Sequence, residues 1–375
     1  MDHTTSGVLR IDLDAVVSNY RQVQGVVAPA RTAAVVKADG YGLGADRIAP
    51  ALYRAGCRDF FVAHLREGMA LRPDLPGDAA VYILNGLLPG AEADCAASGL
   101  IPVLNAIDQV RRWAATARDR QARLPAVLQM DSGMSRLGLA PMDVAQLHGA
   151  PEELHDIDLL FIMSHLACAS QPDHSFNAQQ RATFSVLAAC FPDVPRCLDN
   201  SGGSLMAHVG HGDLVRPGIA LYGGAPHAPP SPMRPVVSLD SAILQLRTVS
   251  PGSGVGYDLS YRTARETHIA TIPVGYADGW PRALGNRGAA FVGGRRAPII
   301  GHISMDSITL DVTDVPDPLL YPGAPVELIG PHQSLDDVAR HAGTISYEIL
   351  TGLGHRFERE YLPVRMSAPA REDAA

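Results

Sequence analysis

The sequence predicts a (β/α)8 TIM-type barrel followed by a smaller, β-rich C-terminal domain, and three observations carry that expectation. Between residue 33 and about residue 222, eight short apolar runs alternate with segments of helical period. Most of those runs finish on a polar or ionisable residue. Past a proline-rich joint at "SPMRPV", helical segments thin out and strand-like runs take over. The division falls at 235/236: a barrel over 1–235 and a β-rich domain over 236–375.

In chain order the eight runs are "AAVVK", "FFVAH", "VYILNG", "IPVLN", "AVLQMD", "LLFIMSH", "RCLDNS" and "GIALYG". Segments such as "ADRIAPALYRAG" and "NAQQRATFSVLAACF" between them read as amphipathic helices, which makes the runs parallel strands. An open doubly wound sheet is the competing architecture, but "GYGLGA" after the first run only approaches G-x-G-x-x-G. In the second part, "SAILQLRTV", "HIATIPVG", "AAFVGGRRAPIIG", "SITLDV" and "PVELIG" read as strands, with a tight turn at "VGGR". "SLDDVARHAG" and "TISYEILTGLG" read as helices, and "SAPAREDAA" as a frayed tail.

Composition narrows the function classes. At 375 residues, with 46% apolar and 19% charged residues, the chain has material for a substantial core. A formal charge of -8 argues against nucleic-acid or membrane-surface partners. No apolar run is long enough to span a membrane, and the N-terminus lacks the order of a signal peptide, so a cytoplasmic location is expected. The five cysteines form no C-x-x-C pair and read as buried small hydrophobes. His208 and His211 in "HVGHGD" read as loop or cap residues, and no metal site is expected.

The strand ends hold the candidate chemistry. Lys37, His64, Asn85, Asn105, Asp131, His165, Asp199, Asn200 and Ser201 close successive runs. A barrel would gather them at its mouth, where such folds build their sites. A lysine desolvated there has a lowered pKa and suits Schiff-base formation with an aldehyde cofactor. The glycine-rich loops "DNSGGSL" and "VRPGIALYGG" would supply backbone donors for a phosphate.

"AVVKADGYGLGA", "MDSGMSRLG", "MSHLA", "DNSGG", "LVRPGIALYGG", "IPVGYADGW" and "GHISMD" together resemble the ordered motif set of the pyridoxal-phosphate-dependent alanine racemase family. The resemblance covers nearly the whole chain. It implies interconversion of L- and D-alanine, with the D-enantiomer supplying peptidoglycan. It also implies a homodimer in which each site borrows residues from the partner's β domain. Lys37 would hold pyridoxal 5'-phosphate covalently and act as one acid/base, with Tyr257 as the opposing one. Tyr41, Ser201, Gly218 and Ile219 would contact the phosphate. His165 would lie against the ring, and Arg216 would face its nitrogen. Arg136, Met305 and Asp306 would bind substrate, the last two together with Tyr257 coming from the second chain.

Four positions depart from the pattern. Gln129 stands where many members carry a carbamylated lysine, which leaves room for an anion such as chloride. Ser304 replaces a cysteine. Ser170 and His302 replace charged residues at the substrate entrance, which raises a racemase of serine or of many amino acids as an alternative. A non-catalytic cofactor carrier would lack the second domain, and a metal-dependent hydrolase would use His64, Asp131 and His165. Dull roles also stay open: Tyr41 packing over a helix, Arg216 pairing with Asp131 or Asp199, and Tyr257 as a loop tyrosine. Tyr276 and Tyr347 could serve an interface or the channel.

Overall fold

A computed structural model describes residues 5–207 and 210–364. The segment "SAPAREDAA" and His208 lie outside them.

The described residues form two compact units, one drawn from 19–207, 210–233 and 344–353, the other from 5–18, 234–343 and 354–364. The first is the barrel. Its parallel strands run in the order Arg31–Thr32, Leu214–Arg216, Arg196–Asn200, Ile157–Met163, Leu124–Gln129, Ile101–Leu104, Ala80–Ile83, Asp59–Val62, Ala34–Val35. The two end members are halves of one strand interrupted at Ala33, whose N–H still donates to the Val215 carbonyl at 2.9 Å. The ring thus closes on eight strands. Phe60, Phe61, Val81, Ile83, Val103 and Leu104 are fully buried, as expected of strands covered on both faces.

Helical crossovers follow the amphipathic spacing. In Ile107–Asp119 the buried positions Val110, Trp113, Ala114 and Ala117 fall at i, i+3, i+4 and i+7. Seven of the eight apolar runs became barrel strands. The exception is "GIALYG": Ile219–Tyr222 is a 3-10 turn, and the eighth strand is Leu214–Arg216 just before it. Pro217 explains the shift, because it lacks an N–H and favours a break where the run looked continuous.

The second unit is built on a six-stranded sheet, ordered Arg295–Pro298, Ala289–Val292, Pro325–Ile329, Val237–Ala242, Val8–Asp12, Glu358–Leu362. The Gly293–Gly294 pair, both at positive φ, turns the first two into a hairpin. A three-stranded sheet joins Gln245–Val249, Thr267–Ile272 and Ile308–Asp311. Helix Leu335–Ala342 carries a capping box between Ser334 and Asp337 and ends on left-handed Gly343.

Two segments cross the division drawn from the sequence at 235/236. Strand Val8–Asp12 pairs antiparallel with Val237–Ala242 and parallel with Glu358–Leu362, so it belongs to the β sheet. Helix Ser346–Gly352 belongs to the barrel unit. Among the described residues, no helix is long and apolar enough to cross a membrane.

Candidate active site

Lys37 stands two residues past strand Ala34–Val35 and opens a turn of unusual hand. Ala38, Asp39, Gly40 and Tyr41 all lie at φ between 53° and 61°. Three of the four are not glycine, and each such residue costs about 1–2 kcal/mol in this conformation. Local hydrogen bonds compensate: Gly40 N–H donates to the Val36 carbonyl, and Asp39 Oδ1 accepts from Ala45 N–H at 2.8 Å. The turn sends Tyr41 back into the barrel, where it is buried and stacks on Tyr222 at 4.4 Å between ring centroids.

Lys37, Tyr41, Arg136, His165, Ser201, Arg216, Gly218 and Ile219 all line one cavity of about 710 Å³. All eight were marked from the sequence. Gln129, His64, Asn85 and Asn200 share its wall. Asn105, Asp131 and Asp199 do not. Asn105 donates to the carbonyls of Leu84 and Val103, and the Asp131 carboxylate accepts the N–H groups of Gly133 and Ser135. Asp199, on the outward face of its strand, binds Arg181 at 2.5 Å and His211 at 2.8 Å. Asp131 is thereby spent on loop geometry. Among the described residues no three His, Cys, Asp or Glu converge as a metal site would need.

One end of the cavity is a cradle. The Ser201 hydroxyl oxygen accepts the N–H groups of Gly218 at 2.8 Å and Ala220 at 3.3 Å, tying the two glycine-rich loops together. Asn200 Oδ1 accepts from Gly203 N–H and caps the short helix Ser201–Ser204. A Cβ on Gly218 would lie 2.1 Å from the Tyr41 phenol oxygen, and one on Gly202 would lie 2.4 Å from the Ala169 carbonyl. Backbone donors, a hydroxyl and a phenol around positions that tolerate no side chain suit a phosphate group. Gly218→Ala is accordingly expected to push Tyr41 aside and weaken phosphate-dependent ligand retention by roughly 10–100-fold; equilibrium dialysis against the cofactor checks it.

At the other end Arg216 is buried and anchored through its Nε and one terminal nitrogen. Its Nε donates to Cys197 Sγ at 3.2 Å, its terminal nitrogen donates to the carbonyls of Leu198 and Ser164, and its guanidinium lies 5.9 Å over the Phe61 ring. It pairs with neither Asp131 nor Asp199.

Burial, reinforced by Arg136 and Arg216, lowers the pKa of Lys37, against the opposing pull of Glu67. Burial also pushes His165 down to about 3, with Arg216, Arg136 and Lys37 adding to the effect. His165 is therefore neutral throughout the working range. On acidification the unfolded chain binds that proton first, so stability falls as pH drops from about 6.5 toward 3. His165→Asn is expected to flatten that part of the acid limb in denaturant titrations at pH 4 and pH 7.

Tyr257, Met305 and Asp306 lie in the β-rich unit. Tyr257 sits on the loop joining Gly254–Val255 to Tyr261–Arg262, with 69% of its surface exposed. Met305 is exposed, and Asp306 is bound by Arg356 at 2.7 Å. Tyr276 is exposed in the same unit. Tyr347 instead lines the barrel cavity, 5.9 Å from the Tyr41 ring.

Sequence reasoning passed over one compositional signal. Lys37 is the only lysine in the chain; the other 30 of its 31 basic residues are arginine. No other side chain offers an aldehyde a primary amine.

A closed barrel with a desolvated lysine at its mouth and a phosphate cradle beside it, followed by a β-rich unit, defines a two-unit barrel enzyme of the amine-and-aldehyde type. Family models for the alanine racemase N-terminal domain and C-terminal domain match residues 11–226 and 236–361. The chain belongs to the alanine racemase family. A catabolic alanine racemase of Agrobacterium fabrum is 52% identical, covering 96% of this chain and 94% of that one. An alanine racemase of Brucella abortus is 51% identical, covering 97% and 95%. The crystal structure of alanine racemase from Bartonella henselae with covalently bound pyridoxal phosphate superposes with a TM-score of 0.92 at 44% identity, covering 95% and 99%.

Proposed function

We propose that this chain racemises alanine with pyridoxal 5'-phosphate as its cofactor. The observation that carries the reading is the chain's single amine side chain, desolvated at the barrel mouth beside a phosphate cradle, in a member of this family. Lys37 would hold the cofactor, with Tyr41, Ser201, Gly218 and Ile219 at its phosphate, His165 against its ring and Arg216 at its nitrogen. What the cofactor supplies when bound is acidification of an amino acid's α-hydrogen.

The chain's own residues do the rest. Lys37 Nζ holds or returns a proton on one face of the α-carbon, and the Tyr257 phenol does so on the other. Arg136, Met305 and Asp306 bind substrate. Arg216, anchored to two carbonyls and a thiol, donates hydrogen bonds without surrendering a proton. It thus limits how far negative charge spreads, which favours prompt return of the proton over side reactions. The exposed loop of Tyr257 serves the partner's barrel in a homodimer.

Incubation with L-alanine in deuterated water is expected to place deuterium on the α-carbon of both enantiomers. An unlabelled, unracemised product overturns the reading. Comparing kcat/KM for alanine and serine sets the substrate, with alanine expected to lead. For the cellular role we propose supply of D-alanine for peptidoglycan. The names of the Agrobacterium fabrum relative and of another from Rhizobium johnstonii favour a second role, in alanine catabolism. Deleting the gene gives D-alanine auxotrophy under the first role and failure to grow on alanine under the second.

A further inference from the structure

We propose that Glu67 is the residue that positions Lys37, by clamping the peptide that Lys37 forms with Ala38 to the end of the neighbouring barrel strand. The inference rests on Lys37 being the cofactor lysine. Glu67 Oε1 accepts the Ala38 N–H at 3.3 Å, and Oε2 accepts the Ala63 N–H at 2.8 Å. Ala63 directly follows strand Asp59–Val62, which pairs with Ala34–Val35.

The bond to Ala63 is the ordinary hook by which a first-turn acid of a helix, here Leu65–Leu71, reaches the backbone before it. The bond to Ala38 crosses to a different βα unit, twenty-nine residues away. It falls at the entry to the left-handed turn, opposite the grip of Asp39 on Ala45 at its exit. Such a turn persists only where its surroundings over-determine it. Glu67 meets each N–H with a separate oxygen, whereas an amide would turn an NH2 group toward one of the two donors.

The charge has a second use. Tyr41, His64, Arg136, His165, Arg216 and Tyr347 share the cavity with Lys37, and of these the two arginines hold charge against the amine. Glu67 supplies the opposing sign from the helix side. Glu67 does not line the cavity, so it works through Lys37.

A chain with one lysine permits a direct test. With lysine carrying 13C at Cε, the full-length protein before cofactor loading gives one side-chain resonance, whose pH midpoint is the Lys37 pKa. Glu67→Gln is expected to lower that midpoint by about one pH unit and, once loaded, to reduce kcat by roughly 10–100-fold, with little change in Tm. Glu67→Asp keeps the charge and is expected to restore the midpoint; it decides the matter if the glutamine variant does not fold. An unmoved midpoint, or losses in both variants that merely follow Tm, overturns the proposal. Visible absorbance of the loaded wild type separates the two readings: its absence removes Lys37 from the cofactor, while an intact band with an unmoved midpoint removes Glu67 alone.

Discussion

Lys37→Ala is expected to yield a folded protein that stays colourless with pyridoxal phosphate and racemises alanine at least about 10³-fold more slowly. The fold should survive because the site disfavours a cation: burial and two arginines already weigh against the ammonium form. Removing the side chain relieves that repulsion and leaves the turn's backbone bonds in place. The chemical loss is complete, since the sequence offers no second lysine to substitute. Reduction of the loaded protein with borohydride followed by mass spectrometry makes the test quantitative. Wild type is expected to retain one cofactor per chain on the peptide containing residue 37, and the variant none. Label retained elsewhere, with activity intact, would refute the assignment.

Tyr257→Phe is expected to leave the visible band intact and still depress racemisation by about 10²–10⁴-fold. The phenol is needed for one face only, so proton exchange at the α-carbon should persist from one enantiomer and fail from the other. The two variants also test assembly. Under the proposed homodimer each variant alone would be nearly inactive, but co-expression of Lys37→Ala with Tyr257→Phe would give mixed dimers in which one site has both groups. Statistical pairing restores about one quarter of the wild-type rate. No recovery would mean that Tyr257 serves its own chain or no site at all.

Much of the barrel was legible because parallel strands buried on both faces read as short apolar runs, and crossovers read at helical period. The last strand escaped because the signal there is Pro217 and not hydrophobicity: the longer apolar run "GIALYG" folds as a turn, and three residues ahead of the proline make the ladder. The site residues at strand ends were readable wherever the side chain points inward. Asp199 shows the limit, since strand alternation places it outward with Arg181 and His211 while Asn200 faces the cavity, and Ser201 reaches the cavity only because the strand has ended and a short helix begun. Tyr347 lay in a helix correctly read but assigned to the wrong unit, and no local pattern tells a helix which core it will join. Glu67 carries no local signal of its role, because its second partner, Ala38, is twenty-nine residues away.

The two units are interleaved along the chain, and this has a consequence for biosynthesis. Strand Val8–Asp12 is made before its sheet neighbours, which lie near residues 240 and 360. The barrel in turn lacks the Tyr347 wall until residues 234–343 of the other unit have been made. Until its sheet partners are present, strand Val8–Asp12 carries unpaired backbone groups, so completion of the β sheet waits on pairings between distant parts of the chain.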